Sequence, residues 1–212
     1  MNQPQTLHAG YLRVKRVFDV VGALTLLVLL SWLLLLLALA VLLLEGRPVL
    51  FVQERPGRGG RLFKLYKFRT MRLAPEGQTA VEDTATDTAR LTRFGRDLRA
   101  TGLDELPELF NILKGDMSFV GPRPLLPEYL PLYSEEQAHR HDVRPGLTGL
   151  AQARGRNLLS WEERFAADVE YVQNASFGLD LRILAATVEL VLRGRGAEAE
   201  GRPTSEPFNG NK

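Results

Sequence analysis

Between Val20 and Leu44 the chain carries no charged residue, and this stretch limits its possible folds more than any other. It is about 25 residues long, roughly 37 Å as a helix, against a bilayer hydrocarbon core of about 30 Å. A cleaved signal peptide would have a shorter apolar core and a small-residue cleavage site. Here Leu33 to Leu37 is unbroken leucine, and Glu45-Gly46-Arg47 follows. The stretch therefore belongs in a membrane. Its flanks bear on how it enters. Arg13, Lys15 and Arg16 precede it, and Arg47, Arg55, Arg58, Arg61 and Lys64 follow, offset by Glu45 and Glu54. Basic flanks resist translocation, so a helix that enters and returns to the same face satisfies both ends. A bend needs a cause, however, and the middle of the run offers Ser31 but no proline, with Gly22 too near the start. Re-entrant and single-pass helices both remain open from the residues alone.

The rest of the 212-residue chain is long enough for one domain. The lack of cysteine excludes a disulfide framework, thiolate zinc sites and cysteine nucleophiles. A net charge of +2 requires no polyanionic partner. Val49 to Gln53 and Arg61 to Phe68 read as strands around the glycine-rich turn Arg55 to Gly60, a β-hairpin. Its second arm, Phe63 to Arg69, interleaves bases with aromatics. That pattern suits a half-buried strand, or a surface for single-stranded nucleic acid, an anionic headgroup or a nucleotide. Residues 74–89 read as a polar loop, a connector or a lid. Helices are expected over Arg90 to Arg99, over Glu108 to Lys114, from Trp161 to Val172 behind the capping box Ser160–Glu163, and over Leu179 to Arg193 before Gly194. The expected fold is α+β and mainly helical: a small domain with a β-hairpin and amphipathic helices on an N-terminal membrane helix. Its divisions are a flexible start (1–12), the membrane-inserted helix (13–46), a catalytic domain (47–193) and a polar tail (194–212).

The chemistry concentrates around Leu103-Asp104-Glu105-Leu106-Pro107. Leu106, Leu109, Phe110 and Leu113 form the stripe of an amphipathic helix; Asp104 stands where an N-cap would stand, and Pro107 falls in the first turn. The two carboxylates either begin the helix or hold a cation and meet a phosphate. Further on, Pro122 and Pro124 stiffen the backbone around Arg123, presenting one guanidinium from a rigid loop. Guanidinium is suited to bidentate phosphate binding. Arg144, Arg154 and Arg156 stand in similar proline- or glycine-fixed surroundings. His139 and His141 lack further ligands at a zinc spacing.

Five motifs follow one another in order: Lys15 to Asp19 before the apolar run, Tyr66 to Met71, Leu103 to Pro107, Lys114 to Pro124 and Val143 to Gly149. Together they resemble the bacterial sugar transferase family of monotopic phosphoglycosyl transferases, from about Lys15 to Arg193, and look closest to its small single-domain, bacillosamine-phosphate transferase type. The resemblance implies transfer of a sugar 1-phosphate from a UDP-sugar to undecaprenyl phosphate with release of UMP. It implies Asp104 as the attacking carboxylate, Glu105 as a holder of Mg²⁺, Lys67 and Arg123 at the active site, and Arg144 and Arg156 as phosphate contacts. An N-acetylated amino sugar such as diacetylbacillosamine is the expected cargo, with galactose or glucose 1-phosphate as the alternative. The implied partners are membrane lipid and downstream glycosyltransferases, with no nucleic acid, at the cytoplasmic face of the bacterial inner membrane. In the family a Ser-Pro pair breaks the membrane helix into a re-entrant pair; here Trp32 follows Ser31, and a re-entrant helix is the expectation, resting on the basic flanks and the resemblance. A membrane-anchored binding module for nucleic acid or anionic lipid is the reading outside enzymology.

Overall fold

The apolar run folds into two helices. The computed structural model describes residues 9–73, 90–155, 158–192 and 207–210. Helix α1 spans Ala9–Leu29 and α2 spans Ser31–Leu44, and their axes are bent by 65°. Leu30 between them leaves helical geometry at φ −97° and ψ 8°. The Ser31 hydroxyl donates to the Val28 carbonyl at 2.9 Å, a serine back-bond of the kind that bends helices without proline. Among the described residues no single helix is long and apolar enough to cross a membrane, while the bent pair together has the length and apolar composition for it.

Of the charged residues ahead of the run, Lys15, Arg16 and Asp19 are internal docking contacts. Arg16 caps the far end of a helix by donating to the carbonyls of Ile112 at 2.5 Å and Leu113 at 2.8 Å. Lys15 pairs with Asp180 at 2.7 Å. The buried Asp19 accepts from the Ser118 hydroxyl at 3.0 Å and the Phe119 amide at 3.2 Å. The other face of the pair stays bare, with Phe18, Val28, Leu29, Trp32, Leu35 and Leu43 all exposed. A soluble monomer rarely leaves so much contiguous apolar surface in water.

Strands β1 (Leu50–Pro56) and β2 (Leu62–Phe68) pair antiparallel from Leu50↔Phe68 to Pro56↔Leu62, forming the expected hairpin. Helix α3, Arg93–Thr101, is capped by the Thr92 hydroxyl and ends at the left-handed Gly102. Gly95 lies on α3 where a Cβ would stand 1.9 Å from the Thr70 carbonyl, so the helix can seat directly on the end of β2. Helix α4 runs over Glu108–Lys114, the span read from its apolar stripe, and closes at the left-handed Gly115.

A second sheet was not anticipated. It consists of β3 (Ser118–Val120) and β4 (Gly146–Thr148), paired parallel. A Cβ on Gly146 would lie 2.1 Å from the Gly121 amide, so these backbones meet where no side chain fits. Short helices α5 (Glu135–Ala138) and α6 (Leu150–Arg154) follow. Then come α7 (Trp161–Asn174), opened by both bonds of the Ser160–Glu163 capping box, and α8 (Phe177–Leu192). Val120, Val143, Leu150, Tyr171 and Ile183 make the core beneath this half. Ala23, Leu65, Leu109, Ile112 and Met117 join α1, β2 and α4 in another.

The mainly helical α+β expectation is thus met. The loop read over residues 74–89 lies outside the described residues. Of the tail 194–212, the described part is 207–210, where Phe208 is buried against Tyr129 and Phe165.

Candidate active site

Strand β2, the turn before α4 and the loop after β3 bring their functional side chains together. Asp104 and Glu105 lie in a single 3-10 turn, Leu103–Glu105, and the N-cap position of α4 is Pro107, which makes no side-chain cap bond. The expectation that Asp104 stands at the N-cap is therefore corrected. Pro107 takes that position because a missing N–H costs nothing there, leaving the Asp104 carboxylate free of capping.

Glu105 is the hinge of the cluster. Its Oε1 accepts from Lys67 Nζ at 2.5 Å and from Arg123 Nη2 at 2.8 Å. Lys67 also reaches Glu108 Oε1 at 3.2 Å. Lys67 comes from β2, Glu105 and Glu108 from the turn and first residue of α4, and Arg123 from the proline-framed loop. Arg123 keeps 47% of its side chain exposed, so it can meet a ligand arriving from solvent.

The protonation states follow from burial and neighbours. Burial, then the adjacent Glu105 charge, pushes the Asp104 carboxyl up to about 6, against the pull of Lys67, Arg99 and Arg123. Burial likewise raises Glu108, to about 7, with Lys67 opposing and Glu105 adding to the rise. Glu105 goes the other way: burial would raise it, but Arg123 and Lys67 together hold it well below the usual carboxylate range. The site thus contains one firmly ionised carboxylate, held by two cations, beside two that ionise near neutrality. Among the described residues the Asp104 carboxylate makes no hydrogen bond or ion pair, so its oxygens are open to a ligand.

The donor chemistry fits a hard divalent cation. Asp104 and Glu105 offer only carboxylate oxygen, and Lys67 and Arg123 both reach Glu105 through Oε1. Among the described residues no three acidic, histidine or cysteine side chains are placed to hold a metal ion by themselves. Mg²⁺ commonly uses one or two carboxylates and takes its remaining ligands from water and phosphate.

Arg144, also expected here, lies elsewhere. It donates from Nε to the Gly115 carbonyl at 2.8 Å, at the opposite end of α4 from the acidic pair. Arg154 pairs with Glu170 at 2.6 Å on the surface. Arg156 lies outside the described residues. His139 pairs with Asp142 at 2.8 Å, and His141 faces the Gly57 carbonyl at 3.2 Å.

Sequence reasoning missed Glu108, Asn111 and Arg140. Glu108 was within reach, standing one helical turn from Glu105. Asn111 is fully buried, accepting from the Tyr66 amide at 3.1 Å and donating to the Lys64 carbonyl at 2.7 Å, and so fixes α4 to β2. Arg140 acts on Arg123 from 17 residues away and carries no local signal.

Known proteins resemble this chain over most of its length. A family described as bacterial sugar transferase matches residues 10–194. An uncharacterized sugar transferase, EpsL, of Bacillus subtilis is 50% identical over 198 residues, 93% of this chain and 96% of that protein. The UDP-glucose:undecaprenyl-phosphate glucose-1-phosphate transferase of Caulobacter vibrioides is 46% identical over 186 residues, covering 84% of this chain and 69% of its own. The undecaprenyl-phosphate galactose phosphotransferase of Salmonella typhimurium is 38% identical over 199 residues, 87% of this chain but 41% of that longer protein.

Proposed function

The chain belongs to the bacterial sugar transferase family, and we propose that it moves a hexose 1-phosphate, glucose or galactose, from a UDP-sugar to undecaprenyl phosphate. The observation that carries this reading is the Asp104–Glu105–Lys67–Arg123 cluster, with one carboxylate free and its neighbour ion-paired. The relatives named for a sugar support a hexose over the N-acetylated amino sugar expected from the small-member resemblance.

The reaction proceeds in two displacements. An Asp104 carboxylate oxygen attacks the phosphorus that bears the sugar, and the bond from that phosphorus to the bridging oxygen breaks. UMP leaves with the electron pair, and the sugar phosphate remains as an acyl phosphate on Asp104. A phosphate oxygen of undecaprenyl phosphate then attacks the same phosphorus. The Asp104 oxygen departs as carboxylate and the product is an undecaprenyl diphosphate sugar. Arg123 orients the diphosphate, and Lys67 offsets charge beside Glu105. Glu105 would hold Mg²⁺, which when bound neutralises the diphosphate so that a carboxylate can approach it.

The same reading places α1 and α2 in the membrane as a re-entrant pair, with the catalytic residues at the cytoplasmic face where UDP-sugars are made. Their bare apolar faces and 65° bend support it. A cysteine placed at position 2 should resist an impermeant thiol reagent added outside intact cells; labelling there would mean that the chain crosses. The reaction is tested by UMP release from a panel of UDP-sugars by the solubilised protein with Mg²⁺ and undecaprenyl phosphate. UDP-glucose or UDP-galactose should turn over at least tenfold faster than UDP-diacetylbacillosamine. The opposite order would return the assignment to the amino sugar, and no release with any donor would end the enzyme reading.

A further inference from the structure

Behind Arg123 lies a second, buried layer that touches no substrate in the proposed reaction. Arg140 is 3% exposed and donates through Nη2 to the Arg123 carbonyl at 2.8 Å. Its Nε and Nη2 both reach Asp168 Oδ2, at 3.1 and 2.7 Å, and its Nη1 donates to the Tyr133 hydroxyl at 3.1 Å. A buried pair such as Arg140–Asp168 adds little net stability over an apolar substitute, but its directional bonds can fix a geometry. Here they fix the backbone of Arg123. Pro122 and Pro124 lock φ on either side, so displacement of that carbonyl has little slack in which to dissipate before it reaches the guanidinium.

Two rings flank the Arg140 guanidinium, with Tyr133 at 5.5 Å and Phe165 at 5.6 Å from its carbon. Both rings rest on Phe208. Tyr133 stacks on it at 6.1 Å and 21°, and Phe165 meets it edge to face at 4.9 Å and 72°. Phe208 is 6% exposed, and its backbone amide donates to the Tyr129 hydroxyl at 3.2 Å. The C-terminal segment thus places a single ring against the aromatic box that holds the arginine behind Arg123.

We propose that Phe208 is a positioning residue for Arg123, acting through the Tyr133–Phe165 box and Arg140. The proposal rests on the assignment of Arg123 to phosphate binding above. With the ring removed, Tyr133 and Phe165 lose a packing wall, Arg140 gains freedom, and the Arg123 guanidinium loses its aim at Glu105 and the diphosphate. Small misplacements of a binding group can cost on the order of 100-fold in rate.

The test uses the full chain in a bilayer mimic, comparing wild type, Phe208→Ala and Phe208→Leu, each also in an Arg123→Lys background. Phe208→Ala should lower turnover about tenfold or more, with Phe208→Leu, which refills much of the volume, within about threefold of wild type. In the Arg123→Lys background the alanine change should cost less than about twofold, because the group it positions has gone. Amide exchange gives a second readout that needs no turnover: Phe208→Ala should speed exchange at Arg123, Leu125 and Leu126 while leaving α4 protected. Equal losses in both backgrounds, or a lowered melting temperature with turnover and exchange at 123–126 unchanged, would overturn the proposal. If wild type releases no UMP from any donor, the proposed reaction fails, and the exchange measurement still decides the coupling.

Discussion

Asp104→Asn is expected to lower sugar-phosphate transfer by about 10⁴-fold or more, in a protein that folds at least as well as wild type. The loss follows from chemistry. An amide oxygen is far too weak a nucleophile to form the acyl phosphate, and splitting the transfer into two displacements depends on that intermediate. The stability follows from the site's electrostatics. Burial first, and the Glu105 charge second, push Asp104 up to about 6. A carboxyl whose folded value lies above its unfolded value is favoured in the fold while protonated. That advantage is complete below the unfolded value of about 4 and is lost as the pH rises through about 6. At pH 8 the ionised group therefore opposes folding, and neutral asparagine removes a penalty of about 1–3 kcal/mol. Catalytic groups held at such a cost are a familiar source of opposition between activity and stability. UMP release, the melting temperature at pH 8 and the mass of the chain after reaction with donor alone check the three parts. Wild type should gain one sugar phosphate in mass and the variant none. Residual turnover above a tenth of wild type would shift the nucleophile to another carboxylate of the cluster.

What the sequence made legible was local. The helix over Glu108–Lys114 follows from Leu109 and Leu113 recurring on one face, and the hairpin from alternation around Gly57–Gly60. Asp104, Glu105, Lys67 and Arg123 were named from motifs, and the fold brings the last three into direct ion pairs. Other features depend on distant partners. Nothing in Lys15-Arg16 distinguishes a membrane-flanking charge from a side chain that caps Leu113 across the fold. The parallel pair β3–β4 has only three residues in each strand, too few for a period, and depends on the glycine contact between Gly121 and Gly146. Arg144 stands in a stiff loop and the resemblance implies a phosphate contact there, yet its Nε is on a helix-terminal carbonyl. Stiffness says that a side chain is aimed, but not at what. Phe208 sits in a polar stretch whose composition carries no packing signal, and its burial in the ring cluster depends on the fold.

Asn111→Ala should be among the most damaging changes to the fold, and it separates positioning from packing volume. Asn111 imitates a neighbouring strand: its Oδ1 accepts from the Tyr66 amide at 3.1 Å and its Nδ2 donates to the Lys64 carbonyl at 2.7 Å. Lys67 follows directly along β2, and Glu108 stands one turn back along α4, so this amide sets the register in which Lys67 meets Glu108 at 3.2 Å. Alanine leaves the Tyr66 donor and the Lys64 acceptor without their partner, at a cost of about 2–4 kcal/mol. For a chain of this size that lowers the melting temperature by roughly 5–15 °C. Transfer measured well below melting should fall about tenfold as Lys67 drifts from Glu105. Asn111→Asp is the informative companion. It preserves the volume and the acceptor for Tyr66 but loses the donor to Lys64, and it buries a charge within 3.5 Å of the Asp116 carboxylate. Aspartate should therefore be worse than alanine in both melting temperature and transfer. If aspartate is tolerated better, the site is held by volume, and the amide does not set the position of Lys67.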